Sequence, residues 1–334
     1  GDAVVSGADL KTMRDRWLAN AVMAGHDLPH FIPTGVFVQS VEFITANNVV
    51  LTGYIWQRFA DTGAAALAEG FIMPEADTLD VEEAYRRTED GGTVIGWQFR
   101  VTLRQTFSYA RFPLDWESVW IRLWPRTFRE NVVLTPDLDA YRIMNPSTLP
   151  GVERGIFIGG WTPVSSHISY RTASYHTNFG VDRSGVIQGR PELYFSIMIR
   201  RNFLDPFVSN LTPIILVLLL IFAMLMTVRR EARNLDLLGF NASTIITTCA
   251  ALFFAVLISH IDLRTSLEAK QIFYLEYFYF ITYGVILAVC VNSILFTRDS
   301  HLAFIHYRDN LLPKVFFWPA VLGTMFVATL LAFL

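Results

Sequence analysis

The chain has 334 residues, is 52% hydrophobic but only 17% charged, and carries a formal net charge of −3. That balance is too apolar for an ordinary soluble protein, and the absence of a basic stripe argues against a nucleic-acid partner. Both cysteines, Cys249 and Cys290, fall inside apolar runs, so no disulfide framework staples the N-terminal part. Neither has a histidine or second cysteine at ligand spacing, and both read as small buried hydrophobes.

Residues 1–205 alternate polar and apolar types, whereas 206–334 hold nearly all the long apolar runs. This predicts two domains, an N-terminal one over 31–204 preceded by a helix and lead-in over 1–30, and a membrane domain over 205–334. The first residues, GDAVVSG, lack the charged and apolar regions of a secretion leader. Because an outward-facing domain needs one, the expectation is that the natural start has been removed. Leu10, Met13, Trp17 and Val22 recur at helical spacing and predict an amphipathic helix over 8–23.

Strand signals follow. VFVQSVEFI and NVVLTGYIWQRF are β-rich runs split by Thr45-Ala46-Asn47-Asn48, which predicts a hairpin. TVIGWQFRVTLRQTFSYA, SVWIRLWP, GIFIGGWT, HISYRTASYHTNF and YFSIMIRRNF continue the series. Short strands at regular spacing, with no helices between them, predict a β-sandwich. Acidic residues collect at Glu75, Asp77, Asp80, Glu82 and Glu83, and again at Asp137 and Asp139. Hard oxygen ligands so close together make Ca²⁺ a candidate modulator, with Glu75, Asp77, Asp80 and Glu82 as its ligands. The spacing is not that of an EF-hand, and a solvated acidic face is the other reading.

Four segments, 206–228, 241–261, 272–296 and 313–334, hold the roughly 20 apolar residues that a membrane crossing takes. The second is unlike the others, with a hydroxyl-rich first half, NASTIITTCAA, and an apolar second half, LFFAVLI. Hydroxyls gain little in lipid, so they point to a water-filled pore or a helix interface. Arg229, Arg230 and Arg233 in the first connection, with Arg298, Arg308 and Lys314 in the third, set those loops inside. The N-terminal domain then faces outward, and the expected location is an inner cell membrane.

The order of these features resembles the pentameric ligand-gated ion channels, in particular the bacterial branch without the disulfide-closed loop. The stretch ARFPLDWESVWI, with Phe112, Pro113 and Asp115, is similar to the family's aromatic-Pro-x-Asp turn. SIMIRRNFLDPFVSNLTPIIL resembles the strand-to-first-span junction, VVLTGYIWQRF the strand carrying a ligand-site aromatic, and IGGWTPVSSHISYRTASYHTNFG the strand leading to the capping loop. The likeness covers about Ile32 to Leu334, although the region 59–75 looks short for it. Some members of this family carry upstream domains, which would make the chain the core of a larger protein.

The resemblance implies an all-β sandwich extracellular domain followed by an all-α four-helix transmembrane domain, assembled as a homopentamer around a pore lined by the second span. At helical spacing that face reads Ser243, Thr247, Ala250, Phe254, Leu257 or Ile258, and Ile261. Hydroxyl rings can replace part of an ion's hydration shell and apolar rings can gate by dewetting, Phe254 and Leu257 being the candidate gate. Asp236, Asp262 and Glu268 at the two ends favour cations, and Arg233 opposes them. Asp115 and Arg201, with Pro113 and Asp262, are the expected coupling residues, Arg200 being an alternative to Arg201. The 262–271 loop and the 45–48 hairpin are expected at the same level.

The ligand, a small molecule or ion, is expected between subunits, with Trp56 and Arg58 on one side. On the other lie 73–77, 179–190 and the stretch containing Trp124 and Phe128. The capping loop VDRSGVIQGRP has no aromatic residue, so the sequence gives no support to an amine agonist, which an aromatic cage would bind. His260, near the outer end of the second span, is a candidate pH sensor, and Glu276 in the third is read as a polar contact between helices. The competing class is a non-conducting four-span sensor. No hydrolytic triad order, HExxH or phosphate-binding glycine loop is present, so an enzyme is not expected, and no cofactor is required.

Overall fold

The computed structural model describes residues 2–4, 6–25, 27–60, 68–89, 91–126, 131–156, 158–177, 179–180, 189–227, 242–267, 271–297, 307–308 and 310–334. They form two compact units. One comprises Gly1–Phe107 and Trp116–Arg200, the other Ser108–Asp115 and Arg201–Leu334.

The first unit is a two-sheet, sandwich-like β structure. Its strands are β1 Asp2–Val4, β2 His30–Phe43, β3 Asn48–Ala60, β4 Phe71–Ile72, β5 Ala76–Glu89, β6 Gly92–Arg104, β7 Trp116–Pro125, β8 Val132–Pro136, β9 Trp161–Ala173 and β10 Arg190–Arg201. One sheet has the order β1-β9-β10-β7-β4 and the other β5-β6-β3-β2-β8. The predicted hairpin joins β2 to β3 in antiparallel register, whereas β8 lies parallel to β2. Alternation places Val49, Leu51, Ile55 and Phe59 of β3 inward. They share one buried core with Phe99 and Leu103 of β6, and with Ile121, Leu123, Phe195 and Ile197 of the other sheet.

The helix α1 (Gly7–Ala24) starts at a capping box. The Ser6 hydroxyl accepts from the Asp9 amide at 3.2 Å, and the Asp9 carboxylate accepts from the Ser6 amide at 2.9 Å. Trp17 docks the helix against the ring of Tyr170, with centroids 4.8 Å apart.

Four strands escape the alternation signal, β1 and β4 because they are only three and two residues long. β5 pairs with β6 along its length apart from two register shifts, yet residues 77–88 are all exposed, so their composition carries no buried face to detect. β8 is a five-residue strand with every residue buried, and such a short run has no period to show. Among its described residues, the GIFIGGWT run contributes an Ile158–Trp161 bridge before β9 begins.

The second unit contains α2 (Leu204–Thr227), α3 (Ala242–Leu267), α4 (Tyr274–Thr297) and α5 (Leu311–Phe333). All four are long and apolar enough to cross a membrane, and the chain is a multi-pass membrane protein. The helix α3 continues six residues past the predicted end of its span. Asp262 and Arg264 interrupt the apolar run without interrupting the helix. Ile214, Leu218 and Ile221 of α2 pack with Ile245 and Val256 of α3, Leu275 and Tyr279 of α4, and Phe317 of α5.

Candidate functional site

Within the sandwich, β7 and β10 pair with Tyr194 opposite Arg122 and Leu193 opposite Leu123. This brings a set of charged and aromatic side chains together at the end of the strands. The buried Glu192 carboxylate accepts from the Trp124 indole N–H at 2.7 Å, from Arg122 at 3.2 Å and from the Tyr194 hydroxyl at 3.4 Å. The Tyr175 hydroxyl also donates to it. Glu75, in the turn before β5, accepts from the other arm of the same guanidinium. One Glu75 oxygen and the Arg122 Nε are buried without a hydrogen-bond partner among the described residues.

Three rings border this network. Trp124 lies 5.6 Å from Tyr175 and 6.1 Å from Phe179, and these two lie 5.5 Å apart, all edge to face. The Arg122 guanidinium sits 5.1 Å over the Trp124 ring. Burial works against the Arg122 charge, but the Glu75 hydrogen bond and the neighbouring carboxylates hold its pKa above the ordinary value. Burial, and then Glu192, push the Tyr175 hydroxyl up, so it stays a neutral donor. Burial lowers Arg190, opposed by Glu192. The cluster thus gathers carboxylates, guanidiniums and ring faces in one place.

Of the predicted ligand residues, Trp124 belongs to this cluster. Trp56 and Arg58 stand on β3 in the other sheet, where both converge on buried Asp137. The Trp56 indole donates to it at 2.8 Å and the Arg58 Nε at 2.7 Å. Trp56 can lie flat there because residue 35 is glycine, since a Cβ at Gly35 would stand 2.0 Å from the indole. The two groups are not brought together within one chain. The capping loop has no aromatic residue, but Tyr175 and Phe179, just before it, supply the rings that it lacks. Sequence reasoning missed Arg122, Tyr175 and Glu192. The available signal was a single charge in each of the apolar strands WIRLW and ELYFSIMI.

The candidate calcium ligands are dispersed. Glu75 pairs with Arg122 and Asp77 with Arg104, while Asp80 and Glu82 lie on the exposed strand β5. Among the described residues no three His, Cys, Asp or Glu side chains gather as a metal site. Phe128, Arg233, Asp236 and Glu268 lie outside the described residues.

In the helical unit, Arg201 and Asp115 form a two-pronged ion pair, Nε to Oδ1 at 2.7 Å and the terminal nitrogen to Oδ2 at 2.8 Å. Asp115 is buried and Arg201 nearly so. The guanidinium lies 4.8 Å over Phe112, whose ring packs on Phe273 at the start of α4. Phe112 and Pro113 are both buried, and the peptide bond between them is cis. Arg200, the alternative partner, lies over the Trp116 ring instead.

On α3, Ser243, Thr247, Ala250, Phe254 and Ile261 are exposed along one face, and Ile245, Cys249, Val256 and Leu263 are buried on the other. The choice left open between Leu257 and Ile258 falls on Ile258, which is 68% exposed, whereas Leu257 is half-buried. Thr247 returns its hydroxyl to the Ser243 carbonyl at 3.0 Å. Asp262 is exposed one turn above Ile258. No protein-family model matches the chain, and no curated protein matches it.

Proposed function

We propose that the chain is one subunit of a ligand-gated ion channel of the pentameric family, with five copies surrounding a pore lined by α3. The observation that carries this reading is the uncovered face of α3. It runs from Ser243 and Thr247 at one end, through Ala250, to Phe254, Ile258 and Ile261 at the other. Hydroxyls beside lipid gain little, but around a water-filled axis they can solvate an ion, and the apolar rings can close the path by dewetting. Asp262 at the outer end favours cations. The sandwich faces outward, and a small polar ligand at the Arg122–Glu192–Trp124 cluster biases the closed–open equilibrium by its differential affinity for the two states. The Asp115–Arg201 pair supports the same reading, because it ties the 108–115 segment to the entry of α2.

The test is planar-bilayer recording of the purified chain beside Phe254→Ala. Unitary currents are expected from both, with the Phe254→Ala channel open more of the time because a dewetting ring has been removed. Silence from both, in protein confirmed as a pentamer, would overturn conduction and leave the four-span sensor.

A further inference from the structure

The outer part of α3 holds a buried polar cluster that neither conduction nor ligand binding uses. Glu276, in the first turn of α4, is fully buried. Its Oε1 accepts from Arg264 at 2.6 Å and faces the His260 Nε2 at 3.2 Å, while its Oε2 accepts from the Phe273 amide at 3.2 Å. The other imidazole nitrogen stands 3.2 Å from the Tyr283 hydroxyl. The tautomer that satisfies both partners carries its hydrogen on Nε2, so Nδ1 accepts from Tyr283. The Tyr279 ring stacks on the imidazole, centroids 4.8 Å apart and planes within 15°. Its hydroxyl bonds with Ser259 at 3.0 Å and reaches the Asn210 carbonyl of α2 at 3.5 Å.

One carboxylate therefore faces two basic side chains. With a neutral imidazole, Glu276 and Arg264 form a pair of zero net charge. Adding a proton at Nδ1 would leave one uncompensated positive charge in a buried site, which is costly. The two bases differ in their means of relief. The Arg264 side chain is 41% exposed and meets solvent, whereas that of His260 is 10% exposed.

We propose that the cluster is an acid-operated latch. Protonation of His260 hands the Glu276 carboxylate from Arg264 to the imidazolium and releases the outer end of α3 from the start of α4. The Tyr283 hydroxyl turns from donor to acceptor as Nδ1 gains its hydrogen. The titratable and charged groups around His260 among the described residues are Glu276, Tyr279 and Tyr283 from α4, and Arg264 and Asp262 from α3. From α2, Asn210 takes part through Tyr279. Nothing in this exchange requires that the chain conduct ions.

The experiment places a nitroxide at Thr265→Cys in a Cys249→Ser, Cys290→Ser background of the full chain in lipid nanodiscs. Label mobility is recorded from about pH 8 to pH 5, the range over which an imidazole changes charge. Mobility is expected to rise through a single-proton transition on acidification. His260→Gln, which keeps a donor but cannot take the charge, should abolish that transition. Arg264→Gln, which removes the guanidinium from the carboxylate without acid, should raise label mobility at pH 8 toward the level the parent reaches at pH 5. A label insensitive to pH, or a transition that survives His260→Gln, overturns the latch whether or not currents are seen. Should His260→Gln fail to fold, Arg264→Gln still decides, since a label no more mobile in it at pH 8 than in the parent also overturns the latch.

Discussion

The two units expose opposite chemistries. In the sandwich, large apolar side chains such as Phe99, Phe195, Ile121 and Leu123 lie fully buried between the sheets, and charge faces out along β5. In the helical unit Leu220, Leu287, Phe326 and Leu331 point outward, while Glu276, Thr282 and Ser293 are buried. The same physics acts in two solvents. Water drives apolar area inward, whereas hydrocarbon leaves an exposed leucine at no disadvantage and forces each polar group to find a partner. Thr282 and Ser293 find theirs in the carbonyls of Phe278 and Val289, one turn back, at 2.8 and 2.9 Å. Glu276 finds His260, Arg264 and a backbone amide.

This contrast is tested hardest where charge is buried. Arg201→Ala would strip both hydrogen bonds from a carboxylate that is 2% exposed, and loss of one partner of such a pair costs about 3–5 kcal/mol. Urea unfolding of the detergent-solubilised chain should show that loss, and Asp115→Leu combined with Arg201→Met should recover most of it. A cost under about 1 kcal/mol would mean that the pair behaves as a surface bridge.

Apolar substitutions come next. Leu123→Ala empties a position between the sheets and should cost about 2–5 kcal/mol in the same titration. Leu220→Ala, on a helix face that is 56% exposed, removes the same atoms from contact with lipid and should stay within about 0.5 kcal/mol. Equal costs at the two positions would break the comparison, since Leu220 would then be covered by protein.

The same contrast explains what could be read from the sequence. The strands with one wet and one dry face were legible as alternation, and the spans as apolar length. β5 was not, because a strand exposed on both faces has no alternation to offer. The Arg122–Glu75–Glu192–Tyr175 cluster was hidden for another reason. Its members come from four separate segments, and the pairing of β7 with β10 brings only Arg122 and Glu192 together. Asp115 and Arg201 were singled out through resemblance alone, since 86 residues separate them. Spacing by threes and fours could not choose between Leu257 and Ile258, of which Ile258 is the more exposed.

The smallest expected effect concerns a titratable group that the sandwich half-buries. Burial, and then the nearby Arg171 charge, hold the His167 imidazole on β9 below its ordinary pKa of 6.5. The folded chain therefore binds a proton less readily than the unfolded one. As pH falls below about 6.5, the unfolded state takes up that proton first, so stability decreases on acidification and is unaffected at higher pH. His167→Gln should remove this increment of acid sensitivity and leave stability at pH 8 unchanged. Urea midpoints of the two proteins across about pH 8 to 5 measure it, and the range is set by the imidazole. Among the described residues the helical unit carries one imidazole, that of His260, so the design compares the two. A slope that persists in His167→Gln but vanishes in His260→Gln would assign acid sensitivity to the membrane-facing unit. The reverse result would assign it to the water-facing one.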